Sequence, residues 1–207
     1  MRAKSPETAG RWGKAALRHG YSDHDDNMPR PDYIEWQRAN LREMYRVLTP
    51  AGAIFYNHKP RVQAGLMETP DDIVRDFPVR QVIIWDRGGG FNFNDGYFVP
   101  TYEFVYLIPK PDFHLKKGKC GLKDVWRIRP DKNTEHPAPF PLALPDRILD
   151  AVNADLVIDP FAGSGTVAMA AKMHNIDYMV NDVSKEYVEL AEQNIANTVP
   201  SRQLMLI

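Results

Sequence analysis

Apolar residues between positions 33 and 48 fall three or four apart: Tyr33, Trp36, Leu41, Met44, Val47 and Leu48, with Asn40 on the same stripe. That spacing predicts an amphipathic helix, with Asp32 as its cap and Thr49-Pro-Ala-Gly52 as its end. Ala53–Asn57 then reads as a buried strand, and Pro70–Asp76 as a short helix with carboxylates in its first turn. Two more strands are expected over Val79–Trp85 and Thr101–Ile108. Residues 145–152 suggest a short helix, followed by an apolar strand at Leu156-Val157-Ile158, a helix opening at Val167, and a strand at Tyr178-Met179-Val180. A last helix over 184–197 takes Ser184 as cap and Val188, Leu190, Ala191 and Ile195 as its apolar positions. The strand–helix–strand–helix alternation of the last third predicts an α/β fold. Residues 1–31 and 109–145 lack such periodicity and read as an irregular arm and a surface-crossing segment. No internal repeat is present.

Composition narrows this little. The 207 residues, 43% of them hydrophobic and 26% charged, suit one soluble α/β domain rather than a disordered chain. No apolar run approaches the ~20 residues that span a bilayer, and the N-terminus has no secretory apolar stretch. Cys120 is the single cysteine, so no internal disulfide is available and a reducing cytoplasm is the expected location.

Charge adds one local feature. The net charge is −1, but residues 110–132 carry eight basic side chains (Lys110, Lys116, Lys117, Lys119, Lys123, Arg127, Arg129, Lys132) against three acidic ones (Asp112, Asp124, Asp131). This excess suits phosphates or, equally, a solvated loop. Asp86–Gly96 contains Gly88-Gly89-Gly90 followed by aromatic and amide residues. It reads as a loop closely approached by a base, or as a flexible hairpin.

The chemistry concentrates in Asp159-Pro160-Phe161-Ala162-Gly163-Ser164-Gly165-Thr166, between the strand at 156 and the helix at 167. Glycines there clear the backbone N–H groups for a ligand, and Ser164 and Thr166 add hydroxyls. Asp159 can hold the loop or accept from an ammonium group. Asp182, after the next strand, can accept from both hydroxyls of a ribose. The pattern is Gly-x-Gly with Ala168 where dinucleotide binders place a third glycine, so no pyrophosphate is implied.

These segments resemble the β-type DNA amino-methyltransferases. His136-Pro-Ala-Pro-Phe-Pro141 looks like that family's His-Pro-x-x-x-Pro segment, and it stands ahead of the glycine loop as in the family order. Asn181-Asp-Val-Ser184 is similar to the acidic segment, with Asp182 where Glu is more usual. Val82–Gly90 and Tyr45–Gly52 are also family-like, so the resemblance runs over roughly residues 20–195. It implies a Rossmann-like S-adenosylmethionine-dependent methyltransferase fold, over 1–207 as a single domain. The cofactor would be held by His136, Pro137, Phe140, Asp159–Thr166, Asp182 and Val183, the last against adenine. Double-stranded DNA would be met by Arg87, Lys116, Lys117 and Lys119, on the loops 86–98 and 110–132, and by the arm. No metal and no membrane are implied. Oligomeric state stays open, a homodimer included.

The resemblance also marks a gap. The family makes the exocyclic amine of adenine or cytosine nucleophilic with Asp/Asn/Ser-Pro-Pro-Tyr/Phe/Trp, and no such tetrapeptide occurs here; Ser5-Pro6-Glu7-Thr8 lacks the second proline and the aromatic. The catalytic residues are therefore unassigned, and a central strand next to the cofactor-loop strand is expected to be missing with them. A fragment, a mis-assigned start, and a degenerate relative that binds without transferring all fit. So do, less well, a small-molecule or RNA methyltransferase and, least, a nicotinamide dehydrogenase.

Overall fold

The computed structural model describes residues 28–90, 93, 95–131 and 141–200. The chain forms two compact units. Among the described residues, one contains 29–130 and 141–155, and the other 28, 131 and 156–200.

The first unit opens with α1 (Arg30–Val47), preceded by Pro29. Prolines at 29 and 31 preset φ for a helix start, so α1 begins two residues ahead of Asp32. Asp32 lies inside the first turn, where its charge suits the helix dipole, and is not the cap. There follow β1 (Ala53–His58), β2 (Arg61–Gln63), β3 (Leu66–Glu68), α2 (Asp71–Val74), β4 (Gln81–Asp86), β5 (Tyr102–Pro109), β6 (Val125–Arg127) and α3 (Ala143–Ala151). The main sheet has the order β1-β5-β4-β6; β5 runs antiparallel to both neighbours, and β6 parallel to β4. Central β5 is buried from Val105 through Pro109 without alternation, as a strand covered on both faces requires. Leu41 of α1 and Ile73 and Val74 of α2 meet Ile54, Tyr106 and Ile108 in the core.

Two features went unforeseen. The β2–β3 hairpin reverses at Ala64 and Gly65, both at positive φ (50° and 81°). Strand β6 is fixed by Trp126, which is buried, donates its ring N–H to the Lys123 carbonyl at 2.7 Å and lies 5.3 Å from the Arg147 guanidinium carbon. Its partner strand contributes Trp85, whose ring N–H donates to the Ile128 carbonyl at 2.8 Å in the interior.

The second unit is a strand–helix–strand–helix: β7 (Leu156–Asp159), α4 (Thr166–Met173), β8 (Asp177–Val180) and α5 (Lys185–Asn197). Strands β7 and β8 are parallel, with Asp159 opposite Val180. Helix α4 packs through Ala168, Ala170 and Ala171, all fully buried; such short side chains bring backbones close. Lys172 Nζ ties it to α5 by donating to the Ile195 carbonyl at 2.7 Å. Among the described residues β1 pairs only with β5 and β7 only with β8, so each keeps one open edge. No described helix is long and apolar enough to cross a membrane.

Candidate functional site

The loop between β7 and α4 is held from four directions. Asp159 Oδ1 accepts from the Phe161 N–H at 3.0 Å, so the first carboxylate folds the turn onto itself. The Ala162 N–H donates to the Asn181 carbonyl at 2.9 Å, and the Asn181 N–H to the Asp159 carbonyl at 3.0 Å. Asp182 spans the gap: Oδ2 accepts from the Gly163 N–H at 2.8 Å and Oδ1 from the Ser184 N–H at 3.0 Å. From α5, Asn194 Nδ2 donates to the Ser164 carbonyl at 2.9 Å.

Glycine is required at two of these positions. Gly163 and Gly165 have φ of 49° and 82°, the left-handed region. A Cβ on Gly165 would stand 2.9 Å from the Ala191 Cβ. The glycine thus lets α5 approach the start of α4, and the small Ala191 is its counterpart. Asn194 and Ala191 carry this arrangement, yet sequence reasoning assigned neither to the site. Their one signal is that they stand three apart on one face of α5.

Two carboxylates end up together at the carboxyl ends of neighbouring parallel strands. Burial pushes the Asp159 carboxyl above the ordinary carboxylate range; the Phe161 N–H opposes this, and the charge of Asp182 adds to it. Phe161, two residues after Asp159, and Val183, next to Asp182, present exposed apolar side chains. The donors and acceptors suit a ligand with a hydroxylated sugar, an apolar ring and positive charge. A cavity of about 440 Å³ borders this region, lined by Ala162, Asn181, Asp182, Val188, Ala191 and Ile195 among others. Asp159, Phe161, Gly163, Gly165, Asp182 and Val183 are thus brought to one loop cluster, with Pro160, Ala162, Ser164 and Thr166 between them. His136, Pro137 and Phe140 lie outside the described residues, as does the arm through residue 27.

The expected DNA contacts fare differently. Arg87 is 16% exposed and pairs at 3.3 Å with Glu103, itself 16% exposed, while its Nη2 donates to the Pro100 carbonyl at 3.0 Å. Its guanidinium holds the base of a loop. Lys116 Nζ donates to the Leu149 carbonyl at 3.0 Å, and Lys119 pairs with Asp150, so both clamp α3. Lys117 is exposed.

Residues 12–193 match the family described as DNA methylase, of the N6/N4 type. The chain belongs to this family. Among curated relatives of the methylase chain, the type II methyltransferase M.BglII of Bacillus subtilis is 28% identical over 211 residues, covering 82% of this chain and 58% of that protein. M.HpaI of Haemophilus parainfluenzae is 26% identical over 200 residues, covering 84% and 63%. The chain therefore spans about three-fifths of the length of these relatives. Of solved structures, the PvuII cytosine-N4-specific DNA methyltransferase superposes with a TM-score of 0.72 at 16% identity, over 86% of this chain and 76% of that one. A DNA modification methylase of Thermus thermophilus, TTHA0409, complexed with S-adenosyl-L-methionine, gives 0.66 at 24% identity, over 83% and 79%. At these identities the likeness is one of fold: α/β and Rossmann-like, as in other methyltransferases.

Proposed function

We propose that the chain serves site-specific DNA methylation, the methyl group passing from S-adenosylmethionine to the exocyclic amine of adenine or cytosine. The observation that carries this reading is the pinned glycine loop: Asp182 bonds Gly163 and Ser184 through separate oxygens, beside a second, buried carboxylate. S-adenosylmethionine, when bound, supplies a methyl group on a positively charged sulfur. The residues fit that group. A carboxylate has about four acceptor positions, so Asp182 keeps capacity for ribose hydroxyls while it holds the loop. Phe161 and Val183 offer apolar surface to the adenine ring. Asp159 and Asp182 favour a cationic ligand, and Asp159 is the nearer candidate for the methionine ammonium. We infer a cytoplasmic location together with this activity.

Amine activation is left unassigned, since no Asp/Asn/Ser-Pro-Pro-aromatic tetrapeptide occurs in the 207 residues. Calorimetric titration of S-adenosylmethionine, with methyl transfer to DNA assayed on the same sample, tests both halves. Binding with transfer supports the full reading. Binding without transfer limits these residues to holding the cofactor, and absence of binding refutes the site.

A further inference from the structure

The methylase reading gives the glycine loop its role, and the segment between β4 and β5 only a general expectation of facing DNA. Its two legs, residues 87–90 and 98–101, are locked together. The Arg87 N–H donates to the Thr101 carbonyl at 2.9 Å, and the Arg87 side chain grips Pro100 and Glu103 as described. Gly90 lies so close to the opposite leg that a Cβ there would be 2.3 Å from the Pro100 oxygen and 2.8 Å from Val99 Cγ1. Asp86 Oδ1 accepts from the Gly88 N–H at 2.8 Å and closes the turn below.

The second leg of this stem begins at Phe98, whose side chain stands in solvent, and Phe93 of the intervening loop is exposed as well. Phe98 is 99% exposed and Phe93 77%. A single exposed apolar ring is ordinary on a protein surface; what distinguishes Phe98 is its place at the end of a braced leg, with cations below it. Cations stand at the foot of the stem. Arg127, 86% exposed, lies 3.5 Å from Asp86, and the Arg129 side chain is 3.8 Å from where a Gly88 Cβ would be.

We propose that Phe98 is a stacking wedge, inserted among the bases of double-stranded DNA where a nucleotide leaves the helix, with Arg127 and Arg129 on the flanking phosphates. The proposal rests on the methyltransferase reading and gives it a residue for holding distorted DNA. Charge selects this occupant: an aromatic tip over a cationic base complements stacked bases between phosphates, and aromatic–base stacking is indifferent to sequence. Arg87, neutralised by Glu103, acts here only as a positioning residue.

The test uses the full chain and two 30-base-pair duplexes, one intact and one with a central abasic site, titrated by fluorescence anisotropy across salt concentrations. Phe98 is 99% exposed, so its removal takes no packing from the described core. The wild type should prefer the abasic duplex, and Phe98→Ala should lose about tenfold in affinity for it with an unchanged salt slope. Phe98→Trp should restore the affinity. Arg127→Ala should lower the slope by about one and keep the abasic preference. Equal binding of Phe98→Ala and wild type to both duplexes would overturn the wedge. So would a change of sedimentation coefficient in Phe98→Ala, which would assign the ring to contact with a second copy. A wild-type chain that binds S-adenosylmethionine but neither duplex overturns the wedge while the cofactor site stands; failure to bind the cofactor, with the abasic preference intact, refutes the cofactor reading and leaves the wedge.

Discussion

Asp182 is the residue at which loop geometry and cofactor affinity can be separated. Its two oxygens accept backbone N–H groups at 2.8 and 3.0 Å. A hydrogen bond to a charged acceptor contributes ~1.5–3 kcal/mol when water is excluded. Asp182 is only half-buried, so water replaces part of that, and Asp182→Ala is expected to cost about 1–3 kcal/mol of unfolding free energy in all. Loss of the ribose acceptors should weaken S-adenosylmethionine by a further ~1–3 kcal/mol, or roughly 5- to 150-fold in Kd. Asp182→Asn keeps one acceptor oxygen and should lose less stability but most of the affinity. Asp182→Glu keeps the charge one methylene further out and should bind within about tenfold of wild type. Urea denaturation and calorimetric titration of the three variants give both quantities. Wild-type affinity and wild-type unfolding in Asp182→Ala would refute the reasoning outright.

Four further expectations concern other parts of the molecule. Gly165→Ala forces a side chain to φ 82° and to within 2.9 Å of the Ala191 Cβ, so it should destabilise by about 2–4 kcal/mol in chemical denaturation, and Ala191→Gly should recover part of that loss. The raised carboxyl of Asp159 means the folded chain binds more protons than the unfolded one just above the ordinary value of 3.8. Stability should therefore fall as pH rises through that window and then level off, and Asp159→Asn should abolish the fall; a urea midpoint that rises over the same interval would contradict this. A bound cation favours the ionised form, so S-adenosylmethionine should release protons on binding in that window, seen as a buffer-dependent enthalpy of the opposite sign to proton uptake. Trp85→Phe leaves the buried Ile128 carbonyl without its donor and should cost about 1–3 kcal/mol, measured by thermal unfolding.

Much of this architecture was legible along the chain because its signals are local. The apolar run ending at Ile108 marks a strand, and the glycine-bearing turn after Leu156–Asp159 marks the ligand loop. The acidic residue after β8 was equally readable, since strand ends fix where Asp182 stands. What escaped depends on partners distant in sequence. Strand β6 is three residues long, too short for period-two alternation, and is fixed by Trp126 and Arg147. Composition marked Arg87, Lys116 and Lys119 as cations for DNA, but it does not reveal Glu103, the Leu149 carbonyl or Asp150 beside them. The same holds for Asn194, thirty residues from the carbonyl it binds.

The open edge of β7 has a consequence for handling the protein. Leu156 and Ile158 are half-exposed on a strand that, among the described residues, pairs on one side only, and an unpaired strand edge is a template for an extended peptide. Concentrated stocks should thus scatter more light with time, in proportion to the β-rich material formed. A lysine at position 158 would act as a gatekeeper and lengthen shelf life without touching the glycine loop.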